Sequence, residues 1–187
     1  MRPNFTLATR NVLAVDGQKV FSDVFTSIPA FADIDADGDF DFFTGRLSGE
    51  IRFYSNIGSP TTPSFNFATD TWEDLLIISF GKALGLSKRQ KLANNDGHGA
   101  SAIDFADLDG DNDLVFFYGD LFHNGMYYLR NDGQSNDPEV AITDTLFPRQ
   151  QPVITAGYNV PRFADIDADG DKDFFVVCLL QSRNNFS

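Results

Sequence analysis

FADIDADGDFDFF from Phe31 to Phe43, FADLDGDNDLVFF from Phe105 to Phe117 and FADIDADGDKDFF from Phe163 to Phe175 are three versions of one stretch. In each, carboxylates alternate with other residues across a short loop. The first copy sets Asp33, Asp35, Asp37, Asp39 and Asp41 at the odd positions of a nine-residue run. Such a row repels itself in any compact loop that lacks a cation. A hard divalent ion removes the conflict. Calcium takes about six to eight oxygens at roughly 2.3–2.6 Å in flexible geometry, whereas magnesium or zinc would want fewer carboxylates or nitrogen and sulfur donors.

Side chains at positions one, three and five of such a loop converge, and position six must turn the chain sharply. Gly38 and Gly170 stand at position six of the first and third copies, and Asn112 at position six of the second. Glycine reaches positive φ without steric cost, and asparagine is the next most tolerant common residue. The turn is therefore expected in all three copies. An EF-hand would add flanking helices and a bidentate Glu at position twelve. Thr44, Tyr118 and Val176 occupy that position here, and none carries a carboxylate.

Aromatic and β-branched residues follow each loop: Phe42 and Phe43, Val115 to Tyr118, Phe174 to Val177. Such runs favour strands over helices. In the first two copies the run ends at Gly45 or Gly119, and a second strand signal follows with a matching tail, FYSNIGSPTTPSF from Phe53 and YLRNDGQSNDPEV from Tyr128. Asn56 corresponds to Asn131, Gly58 to Gly133 and Pro63 to Pro138. The fold class these patterns predict is all-β. Starting each unit at the Pro-x-Phe junction, or at Pro138 and Val140, divides a single repeat region over 1–187 into approximate units 5–64, 65–139 and 140–187, the last partial. FTLAT from Phe5 echoes FNFAT from Phe65, and after the third loop DFFVVCLLQ is followed by no equivalent of FYSNIG. The chain is thus expected to enter and leave within a repeat series, with strands near Phe5 to Thr9 and Phe174 to Leu180 at its open ends.

These motifs resemble the FG-GAP/VCBS repeat family over most of the chain. The resemblance implies β-propeller-type blades of antiparallel strands with calcium loops between them. Two full units and a partial one fall short of the roughly four to eight blades of a closed propeller. An incomplete propeller or an open repeat array is therefore expected, completed by further repeats in the same or a neighbouring chain. Carried over residue by residue, the implied ligands are Asp33, Asp35, Asp37 and Asp41 in the first copy, with Asp39 giving its backbone carbonyl. In the third they are Asp165, Asp167, Asp169 and Asp173, with Asp171 giving its carbonyl. The middle copy matches at Asp107, Asp109 and Asp111 but has Val115 at position nine. Either Asp113, two residues earlier, substitutes in a shifted loop, or this site is weaker than its neighbours. Thrombospondin type 3 repeats share the aspartate pattern but need many cysteines, and Cys178 is the only one here.

Composition agrees with metal loops. Of the 27 acidic residues only three are Glu, and fourteen Asp lie in the three loops; a solvated helical surface would favour Glu. The net charge of −13 argues against nucleic acid, whose backbone needs a basic surface. No stretch approaches the roughly 18 apolar residues of a membrane span, and the N-terminus lacks a signal-peptide pattern, as entry within a repeat series would explain. Lys82, Lys88, Arg89 and Lys91 form a basic cluster in an expected loop between Ile77 and Gly99. His98 and His123 fall in Gly-containing turns with no nucleophile paired to either. Cys178 reads as a buried strand residue, Trp72 as a core or blade-edge residue, and the sequons at Asn4 and Asn185 fit secretion without establishing it. No catalytic constellation emerges, so the chain is expected not to be an enzyme. The function expected is an extracellular or cell-surface calcium-binding β-repeat module for adhesion, scaffolding, or binding of a protein or glycan ligand. The alternatives are an accessory propeller of a secreted hydrolase or lyase and a structural subunit of an extracellular assembly.

Overall fold

The computed structural model describes residues 7–20, 28–46, 48–80, 83–86, 102–119, 124–134 and 137–178. They form an all-β chain with one 3-10 turn at Trp72–Asp74. β1 (Ala30–Ala32), β2 (Asp41–Gly45), β3 (Ile51–Asn56) and β4 (Phe65–Thr69) make an antiparallel meander in chain order. A hairpin of β5 (Ile77–Phe80) and β6 (Ala83–Leu86) follows. β7 (Ala102–Ala106), β8 (Val115–Gly119), β9 (Met126–Asn131) and β10 (Val140–Asp144) make a second meander. β11 (Asn159–Ala164) then pairs with β12 (Asp173–Cys178).

Each aspartate loop joins the two strands that flank it in one and the same register. Ala32 pairs with Asp41, Ala106 with Val115 and Ala164 with Asp173. No residue is inserted or lost in the middle copy. In this register Val115 holds position nine and Asp113 position seven. The sheets are cut differently from the repeat frame: FNFAT, expected to open the second unit, is the last strand of the first meander, and Val140 opens the last strand of the second. Leu7 to Thr9 carry no strand, β12 ends at Cys178, and residues 5, 6, 179 and 180 lie outside the described residues. So do Lys82, Lys88, Arg89, Lys91, His98, His123 and both sequon asparagines.

The strands after the first two loops are buried at every position, because both of their faces are covered. Phe43 stacks on Phe53 of its own meander and reaches out of it to Trp72 and Phe105. Phe117 packs on Tyr128 of its own meander and reaches out of it to Phe147 and Phe163. Trp72 and Phe147 are equivalent wedges. Each comes from the connection after a fourth strand and sits among the rings of the incoming and outgoing strands. Full burial of a Phe contributes about 1.5–3 kcal/mol, and edge-to-face pairs add to it. On its other side the first meander buries Phe42, Tyr54 and Phe65 under Ala14 and Val20.

The matched tails fold into matched hairpin loops. Asn56 Oδ1 accepts the N–H groups of Gly58 at 3.1 Å and Ser64 at 2.8 Å. Asn131 Oδ1 accepts those of Gly133 at 3.0 Å and Glu139 at 2.9 Å. A Cβ on Gly58 would lie 2.3 Å from the Thr62 carbonyl oxygen, and one on Gly133 2.3 Å from that of Asp137. Close backbone approach, rather than φ, requires glycine at both. β7 packs against β1 and β11, and a parallel bridge joins Ile28 to Ala102.

Candidate metal centres

The loop backbone curls the same way three times. At position six Gly38, Asn112 and Gly170 have φ of 93°, 68° and 100°, as their identities lead one to expect. Position four is left-handed as well, at Ala36 (57°), Gly110 (80°) and Ala168 (62°). The sequence does not announce that feature, since alanine carries no mark of it and only Gly110 hints at it. A side chain in this conformation costs roughly 1–2 kcal/mol. The curl turns the position-six N–H back onto the first aspartate: Gly38, Asn112 and Gly170 donate to Oδ2 of Asp33, Asp107 and Asp165 at 3.0, 3.1 and 3.1 Å.

Carboxylate oxygens gather inside each curl. Asp33, Asp35 and Asp37 each place one within 4.8 Å of the others, as do Asp107, Asp109 and Asp111, and Asp165, Asp167 and Asp173. The first two groups are the expected positions one, three and five. In the third, position nine takes the place of Asp169. Asp39, Asp113 and Asp171 at position seven stand outside these groups, and their backbone N–H groups donate to the position-five carboxylates at 3.0, 2.8 and 3.0 Å. Asp41, at position nine, is 1% exposed. Its Oδ1 accepts the Asn56 N–H at 2.7 Å and its Oδ2 the Ile34 N–H at 3.3 Å, which ties the loop to the end of β3. Asp173 receives the N–H of Ile166 at 3.1 Å in the same way.

Electrostatics reflect the crowding. Burial pushes the Asp41 carboxyl up to about 6; the Asn56 and Ile34 N–H groups oppose the shift, and the Asp35 and Asp37 charges add to it. Burial, then the charges of Asp37, Asp35 and Asp33, raise Asp39. Burial, and then Asp111, raise Asp109.

A cation fits the first and third loops on a specific ground. Oδ1 of Asp33 and Oδ1 of Asp165 are buried with no hydrogen-bond partner, although the other oxygen of each is bonded. Leaving a buried charged acceptor unsatisfied is costly, and a metal would satisfy it. The donor set is all carboxylate, which selects a hard cation. The middle loop differs. Oδ1 of Asp107 accepts N–H groups from Gly110 at 2.7 Å and Asp109 at 3.3 Å, so its first aspartate is satisfied by the protein itself. Val115 at position nine packs with Ala106 and Phe117 and offers no oxygen.

A cleft of about 600 Å³ separates the first two loops, with Asp33 and Asp107 on its walls beside Phe31, Phe40, Phe105 and Leu114. Trp72 is core at 4% exposure, and Cys178, half-buried on β12, donates its thiol to the Gly157 carbonyl at 3.0 Å. No helix among the described residues is long and apolar enough to cross a membrane. Comparison with known protein families, with curated proteins and with solved structures finds no match.

Proposed function

We propose that this chain is a calcium-stabilised β-repeat module of the FG-GAP/VCBS type. In this reading its meanders are propeller blades or successive members of an open array, and it binds or scaffolds outside the cell rather than catalysing a reaction. The observation that carries the calcium reading is the pair of buried, unpartnered oxygens on Asp33 and Asp165, residues that each belong to a cluster of three carboxylates. Asp33, Asp35 and Asp37, with Asp41 beside them, would hold one ion; Asp165, Asp167 and Asp173 another; Asp107, Asp109 and Asp111 a weaker third. Bound there, calcium would offset part of each loop's charge and fix its curl. The chain's own residues do the rest: the position-six N–H aligns the first carboxylate, and Asp41 links the loop to β3.

A protein or glycan ligand suits the cleft between the first two loops, where Phe40 is 64% exposed beside Asp33 and Asp107. Exposed rings flanked by polar groups are what such ligands stack on. Thermal melts in calcium and in chelator test the metal reading. A calcium-raised midpoint is expected, and equal midpoints would refute it.

A further inference from the structure

The contact that joins the first meander to the second is made again between the second meander and β11–β12. Phe43 meets Phe105 with ring centroids 4.6 Å apart, and Phe117 meets Phe163 at 4.3 Å. Phe43 and Phe117 both lie two residues beyond position nine of a loop, and Phe105 and Phe163 both lie two residues before position one. One pair of repeat positions therefore builds both interfaces. The outgoing strand supplies one ring, and the incoming strand of the next unit supplies the other. Phe43 and Phe117 are 0% exposed as a result.

The chain carries one more of each half. Phe175, two residues beyond position nine of the third loop, is 40% exposed, and Val177 on the same face of β12 is 51% exposed. Phe31, two residues before position one of the first loop, is 56% exposed. We infer that these are the two sides of a third contact of the same kind, made between copies of this chain, with Phe175 of one copy packed on Phe31 of the next. The occupant follows from continuity with an interface the chain already builds twice from these positions. The inference rests on the repeat reading and is independent of whether the loops hold calcium. Because the two faces differ, the contact is head to tail: it closes into a ring where the rotation per copy permits and otherwise grows as an open array.

Sedimentation of the wild-type chain, Phe31→Glu, Phe175→Glu and an equimolar mixture of the two variants tests this. Wild type should assemble with rising concentration. Each variant alone should be monomeric, with association weakened at least tenfold. The mixture should form a one-to-one pair, since Phe31→Glu keeps an intact Phe175 and Phe175→Glu keeps an intact Phe31. Leucine at either position should restore assembly. A wild type that stays monomeric at high concentration overturns the inference, as does a single variant that still dimerises, which would mean a face pairing with itself. Hydroxyl-radical footprinting of the wild type gives a readout that needs no variant. Phe31 and Phe175 should become protected together as concentration rises, and protection of neither or of one alone counts against the contact. A monomer whose melting point still rises with calcium would defeat this contact while leaving the metal reading standing.

Discussion

Asp33→Asn should change the sign of its effect on stability when calcium is added. In chelator the substitution removes one of three like charges whose oxygens lie within 4.8 Å of one another. Two unit charges at that distance repel by about 0.9 kcal/mol at water's permittivity, less with salt, and Asp33 belongs to two such pairs. The asparagine side chain keeps an oxygen for the Gly38 N–H, now 3.0 Å from Asp33 Oδ2, so the turn survives. The calcium-free variant should therefore gain about 1–2 kcal/mol, an upward shift of roughly 2–8 °C for a chain of this size. A site at about a hundred times its dissociation constant contributes roughly 2.7 kcal/mol, and a neutral amide forfeits most of it. In calcium the variant should end about 1–2 kcal/mol below wild type. Fluorescence of Trp72, the single tryptophan and 4% exposed between the sheets, reports the melt. Destabilisation of equal size in chelator and in calcium would refute the reasoning, because it would mean that the protein alone satisfies this carboxylate.

Val115→Asp places a carboxylate at position nine, in the register Asp41 holds; calorimetric titration should show tighter calcium binding at the middle site, with a calcium-free fold weakened by about 1–3 kcal/mol through burial of a charge beside Phe117. Gly58→Ala should cost about 1–3 kcal/mol in urea unfolding, because the clash is with the Thr62 backbone oxygen at 2.3 Å, which cannot rotate aside. Asp41, raised from 3.8 to about 6 in the fold, keeps a proton that the unfolded chain has lost, so calcium-free stability should fall as pH rises from about 4 to 6 and level off above. Melts across that range in chelator should show the fall; with calcium present the trend should reverse, since protons compete with the ion for the same oxygen ligands.

The loops and the strands around them were legible because their determinants are local. Alternating Asp33 to Asp41, a tolerant residue at position six and an aromatic run such as Phe42–Phe43 act within a few residues of one another, and the register Ala32–Asp41 follows from them. The hairpin tails were legible for the same reason: Asn56 and Gly58 meet their partners within eight residues. What the sequence hides is nonlocal. Trp72 and Phe147 fill the same place between sheets, yet their surroundings, TWEDLL and DTLFPR, share no pattern. The covering of Phe42 and Tyr54 by Ala14 and Val20 has no sequence mark. A Pro junction before Phe65 and another just before Val140 mark both as unit starts in the sequence. Hydrogen bonding assigns both instead to the sheet already begun. The left-handed alanines at 36 and 168 carry no mark in the sequence, because alanine does not favour that conformation.

Equilibrium dialysis of the wild-type chain against calcium counts bound ions without relying on stability. Two tight sites are expected, formed by the loops of Asp33 and Asp165, and a third filled only at higher concentration by the loop of Asp107, with Asp33→Asn removing one of the tight pair. Absence of bound calcium at concentrations well above those of the protein would contradict the calcium reading, as would loss of no site in Asp33→Asn.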